Sequence, residues 1–247
     1  MKKGVNTAGF KAAIFDMDGL LIDSERIIMQ ACIVAAHQVG ITYTQAEYVE
    51  LIGCAGPDST RIMVEQLGGV QNFNQVMQGL DALLAEHNHT FPLKQGVLPL
   101  LKHYQSNKVI CSVASSSPVH HITHCLSHVD VLDYFSHITC GQEVTRGKPN
   151  PDIYLLAIKK LGIKADECIA FEDSENGALA AITAGLKVVV VPDLKQPSDY
   201  VREHCHQVVA SLEDWLIKGL SHQTSSVAGC LPFKPSCKVS LASNVKS

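Results

Sequence analysis

No stretch of this chain approaches the roughly 20 consecutive apolar residues that a helix needs to cross a bilayer, which argues against a membrane partner. No basic stripe appears either. The net charge is −4, and this argues against nucleic acid as the main partner. The nine cysteines, an odd set scattered from Cys32 to Cys237, hold no CxxC pair. The opening "MKKGVNTAGFKAA" has charge with no long apolar segment after it, unlike a secretory leader. The expectation is therefore a cytoplasmic protein with reduced thiols, most of them small core residues. No internal repeat is visible.

What is present suits a packed α/β protein. Apolar residues make up 46% of 247 and charged residues 18%, enough for a sizeable core. Short apolar runs recur at "KAAIF" (11–15), "VICSVA" (109–114), "HITC" (137–140), "CIAF" (168–171) and "KVVVV" (187–191), each followed by polar residues and then a helical pattern. Alternation of this kind predicts a Rossmann-like parallel sheet with helices on both faces. Residues from about 24 to 89 break the rhythm, with helical stretches near 24–39, 44–52, 58–67 and 73–89 and no convincing strand. This predicts an inserted all-helical cap, so that residues 1–22 and 93–218 form the core domain and 23–92 the cap. Residues 219–247 form a Ser/Lys-rich tail, expected to be poorly ordered.

In parallel sheets ligands sit beyond the carboxyl ends of the strands, so polar residues just after the apolar runs are the ones that bear on chemistry. Four clusters do so: Asp16 and Asp18, then Ser115 to Ser117, then Lys148, then Glu172 and Asp173. Carboxylates are costly to bury without a cation or hydrogen bonds. The inventory of carboxylates, hydroxyl and amide donors and one fixed positive charge suits a phosphate group with bound Mg2+. By contrast, "HHITHCLSH" (120–128) reads as an amphipathic helix with its histidines on the wetter side, since no acid nearby completes a zinc site around His120 and His124.

The order "DMDG", "ASSS", "GKPNPDIY", "FEDSENG" resembles the haloacid dehalogenase-like hydrolase superfamily, and within it the branch whose helical cap follows the first motif, which includes β-phosphoglucomutase and many sugar-phosphate phosphatases. The resemblance spans about residues 11–216. It implies that Asp16 is a nucleophile forming an aspartyl-phosphate, and that Asp18 protonates the leaving oxygen and then activates water. Ser115 and the backbone amide of Ser116 would hold a phosphoryl oxygen, and Lys148 would pair with the nucleophile. Asp16, Asp173 and the backbone carbonyl of Asp18 would ligate Mg2+, with Glu172 acting through water or as a partner of the ligands. Ser117, before Pro118, is read as a helix cap, and Asn176 and Gly177 as a helix entry.

Within that family, Asp18 favours phosphoester chemistry over dehalogenation. A mutase-type histidine ten residues past the second aspartate is replaced by Ile28, and Gly56 stands where a mutase carries a phosphate-gripping Arg. The expected reaction is hydrolysis of a small phosphomonoester: a sugar phosphate, glycerol phosphate, phosphoglycolate or nucleoside monophosphate. The alternatives are a phosphosugar mutase and a non-catalytic binding protein on the same scaffold. Cap loop residues Gly53, Cys54, Ala55 and Gly56 are expected to face the site and help select the leaving group. Hinges are expected near 21–24 and 91–96, and the assembly is expected to be a monomer or weak dimer.

Overall fold

The computed structural model describes residues 9–52 and 56–227, with backbone alone for 56–57 and 222–227. Its strands are β1 (Ala12–Phe15), β2 (Ile110–Ser115), β3 (Phe135–Cys140), β4 (Cys168–Glu172), β5 (Lys187–Val190) and β6 (Gln207–Val208). They form one sheet in the order β3-β2-β1-β4-β5-β6, with every neighbouring pair parallel. The chain builds outward from β1 in one direction and then returns to its other edge at β4. The order therefore reverses between β1 and β4, the kind of crevice where α/β sheets bind ligands.

Strand alternation divides the core into two layers. Ala13 and Phe15 point one way with Val113, Ile169 and Phe171, packed under α5 (Val97–Ser106), α6 (Val119–His128) and α10 (Leu212–Val227). Phe15 and Phe171 stack at 4.8 Å between ring centroids, and Trp215 meets Phe171 edge-on. The buried indole donates to the Tyr104 hydroxyl at 2.9 Å. Ala12, Ile14, Ala170 and Val188 point the other way, against α7 (Asp152–Leu161), α8 (Glu175–Thr183) and α9 (Asp199–His204). Full burial of each large side chain contributes roughly 1.5–3 kcal/mol, which explains why a four-residue β1 can occupy the centre.

A third cluster lies among α1 (Ser24–Gln38), α2 (Gln45–Leu51), α3 (Gly56–Gln66) and α4 (Val70–Ala85). Cys32, Ala35 and Ala36 of α1 meet Val76 and Leu80 of α4, with Tyr43, Met63 and Leu67 completing the cluster. Thr44 starts α2 through a reciprocal capping box with Glu47. The chain enters and leaves this bundle along two adjacent segments joined by backbone hydrogen bonds: Asp23 N–H to Pro92 O at 2.9 Å, and Lys94 N–H to Leu21 O at 3.0 Å. Asp193, on the loop after β5, clamps both: its Oδ1 accepts from Lys94 Nζ at 2.6 Å and Arg26 Nε at 2.8 Å.

Several boundaries differ from those expected. Helix α4 covers 70–85 rather than 73–89, because Asn88 and His89 adopt left-handed backbone (φ 53° and 50°) that ends a helix. Helix α10 continues to Val227, although the apolar pattern fades after Leu216. The two-residue β6 has no periodicity to betray it. All six described cysteines are free and five are buried. Among the described residues no helix is long and apolar enough to cross a membrane.

Candidate active site

The carboxyl ends of β1, β2 and β4 open into a cavity of about 990 Å3 between the sheet and the α1–α4 bundle. Alternation beyond β1 sends Met17 into the core, while Asp16 and Asp18 line the cavity. Ser115, Ser116 and Ser117 reach it from the end of β2, Lys148 and Pro149 from the loop before α7, and Asp173 from the end of β4. Gly19 turns the chain away at φ +79°, and any side chain there would overlap the Asp173 carboxylate.

Lys148 is the hub of this rim. Its ammonium is 2.5 Å from Asp16 Oδ1 and 2.6 Å from Glu172 Oε1, and it also donates to Ala114 O at 3.2 Å. Burial would lower its pKa, but the two carboxylates outweigh this and hold it above the ordinary lysine value. Glu172 is fully buried behind the rim, where Tyr154 donates its phenolic hydrogen to the Oε1 that Lys148 also holds. Gly177 leaves room for that carboxylate, since a Cβ there would overlap it.

The acids crowd each other. Asp16 is pushed up to about 8, first by burial and then by neighbouring Glu172 and Asp18, with Lys148 opposing. Burial and the charges of Asp16 and Glu172 raise Asp173 likewise. Glu25, the second residue of α1, is pushed up to about 7 by burial and by Asp18 and Asp193. Asp16, Glu172 and Asp173 each offer an oxygen within 4.8 Å of the others, and they are the one group of this kind among the described residues. A hard cation with oxygen ligands relieves such crowding, so the donor set fits Mg2+.

Asp18 is held on both oxygens. Ser24 Oγ donates to Oδ1 at 2.9 Å and Ser117 Oγ to Oδ2 at 2.8 Å. The expectation for Ser117 is thereby corrected. Helix α6 is capped at Pro118 with no side-chain cap, because the Ser117 hydroxyl is turned to Asp18 instead. Ser115 Oγ accepts the Ser117 N–H at 3.1 Å, shaping the turn that aims it.

Of the expected site residues, Asp16, Asp18, Ser115, Ser116, Lys148 and Asp173 meet at one cavity, and Glu172 stands behind it. Gly53, Cys54 and Ala55 lie outside the described residues, and Gly56 is described only as the first residue of α3. The histidines of 120–128 sit on α6, whose buried residues are Ile122, Cys125 and Leu126; His124 Nε2 lies 2.8 Å from Asn88 O. Sequence reasoning missed Tyr154, Ser24, Glu25 and Asp193, and left His121, which lines the cavity, among the histidines of the wetter helix side. Tyr154 alone carried a usable signal: it falls beside Ile153 and three residues before Ala157 on the buried stripe of α7.

A Rossmann-like sheet with an acid pair after β1, a lysine held between carboxylates and a helical bundle over the rim defines a phosphatase-type hydrolase. Residues 13–191 match the haloacid dehalogenase-like hydrolase family, and the chain belongs to it. It is 34% identical over 208 residues to a protein of Drosophila melanogaster described as a probable pseudouridine-5'-phosphatase, covering 82% of this chain and 90% of that one. A phosphorylated carbohydrates phosphatase of Thermotoga maritima is 30% identical over 181 residues, covering 72% of this chain and 82% of that one. Among solved structures, a HAD family hydrolase from Deinococcus radiodurans with bound phosphate and sodium superposes with a TM-score of 0.71 at 22% identity. That match covers 88% of this chain and 97% of that one. The chain is thus an enzyme of the phosphoric monoester hydrolase class.

Proposed function

We propose that this enzyme is a Mg2+-dependent phosphatase of small phosphorylated metabolites and works through an aspartyl-phosphate on Asp16. The observation that carries the reading is the contact between Lys148 and Asp16, which brings a cation 132 positions away onto the first acid of the pair. Asp16 attacks phosphorus while the P–O bond to the alcohol breaks, and Asp18 gives its proton to the departing oxygen. Asp18 then takes a proton from water as that water attacks the aspartyl-phosphate, releasing inorganic phosphate and restoring Asp16. Ser115 and the Ser116 amide orient the phosphoryl oxygens, and Lys148 offsets charge on them in the transition state.

Asp16 and Asp173 would hold Mg2+, with the backbone carbonyl of Asp18 as a further ligand; Glu172 is committed to Lys148 and Tyr154 and fixes the lysine. Bound there, the cation supplies positive charge that lets two carboxylates and a phosphate share one site. Residues 23–92 act as the cap that excludes bulk water. Phosphate release from a panel of phosphomonoesters, with and without Mg2+, tests the reading. Asp16→Asn is expected to abolish turnover by at least about a thousandfold. Release that survives Asp16→Asn would refute the assignment of the nucleophile. Conversion of β-glucose 1-phosphate to the 6-phosphate, primed by a bisphosphate, would move the enzyme to phosphoryl transfer between sugars.

A further inference from the structure

The cavity has two unlike walls. Facing the acids, the α1–α4 bundle presents Ile28, Tyr48, Leu51, Met63, Phe73 and Met77. Met63 belongs to the bundle's own core and Ile28, Tyr48, Leu51 and Phe73 pack against it with part of their surface left over, while Met77 keeps 37% of its surface uncovered. Among the described residues of that wall none is cationic; the polar ones are Glu25, Ser59 and Thr60. The hydroxyls of a polyol would meet apolar surface there and lose hydrogen bonds to water without replacement.

Between the walls runs a polar strip. Glu175 and Asn176 contribute from the start of α8, and Lys195 and Gln196 from the loop after β5. The group attached to the phosphate therefore needs an apolar body and a hydrogen-bonding edge at once. A saturated chain supplies the first alone and a polyol the second alone. A heteroaromatic ring supplies both: its faces are apolar and its edge carries donors and acceptors.

Resting on the phosphatase reading, we infer that the substrate is a monophosphate ester whose alcohol carries a heteroaromatic ring. The ring lies against Phe73 and Met77 and turns its edge to residues 175–176 and 195–196.

A matched pair isolates the ring. Ribose 5-phosphate and the nucleoside 5'-monophosphates share the ester and the sugar, and differ in the ring. With Mg2+ present, kcat/KM for the best of the uridine, cytidine, adenosine and guanosine monophosphates is expected to exceed that for ribose 5-phosphate by at least about tenfold, or about 1.4 kcal/mol. Phe73→Ala and the partly exposed Met77→Glu are each expected to narrow the ratio to below about threefold, chiefly through KM. Ribose 5-phosphate matching or exceeding every nucleotide would overturn the ring and leave the phosphatase standing. A ratio unmoved by both variants would overturn its placement on α4. Absence of Mg2+-dependent release from every ester would overturn the phosphatase reading, and this inference with it.

Discussion

Single hydroxyls and single hydrogens decide much of this site. The acid and base role proposed for Asp18 requires its carboxylate to face the substrate, and two serines hold that carboxylate. Removing the Ser117 hydroxyl should let the carboxylate rotate. We expect Ser117→Ala to lower kcat by about tenfold with KM nearly unchanged and thermal stability preserved; an unchanged kcat would deny it a positioning role. Gly177 has the opposite importance, since it matters for what it lacks. Gly177→Ala should force its methyl into the buried Glu172 carboxylate and destabilise the fold by about 1–3 kcal/mol, measurable by urea unfolding, despite the higher helix propensity of alanine. The acid pair was legible in the sequence because charge next to an apolar run is costly and so conspicuous; Lys148, eight residues past the run 137–140, was legible through its place in "GKPNPDIY". Ser117 was misread because a serine before a helix has two possible partners, and only the fold says that Asp18 is nearer than the helix end.

At the scale of elements, the strands were legible where both faces are buried, as in β1, β4 and β5, whose apolar runs leave no room for another reading. Edges were not: β6 is two residues long, and the start of α4 at Val70 is exposed, so composition carries no mark of either. The turn after β3 shows how an element end reaches the site. Glu143 accepts from Lys160 and from the Cys140 N–H, fixing the segment that leads to Lys148. These bonds hold the Glu143 carboxyl below its usual pKa. A depressed carboxyl contributes stability that is present above its unfolded pKa of about 4.3 and is lost as pH falls through the folded value. Because the pair is partly exposed, the contribution is small. Glu143→Gln should therefore melt slightly below the parent at pH 7, with the gap closing below about pH 4; a gap that widened in acid would reverse the sign.

For the whole molecule, the proposed Mg2+ site predicts a folded state that responds to a divalent cation. At about a hundredfold excess over Kd, Mg2+ should stabilise the protein by about 2.7 kcal/mol, raising Tm by roughly 5–10 °C for a chain of this size. EDTA should remove the shift, and Asp173→Asn should blunt it. A Tm indifferent to Mg2+ would contradict the metal assignment. The order in which the sheet is assembled has a further consequence. Strand β1, made among the first residues, lies between β2 and β4, and β4 ends only at Glu172. During synthesis β1 must wait, with one edge bare, until residue 172 of 247 has emerged. For most of that interval Asp16 has no Lys148 beside it. An unpaired hydrophobic edge is a template for sticking to other chains, so the nascent protein is most exposed to aggregation before its fourth strand arrives, and a helper that shields β1 would act in that window.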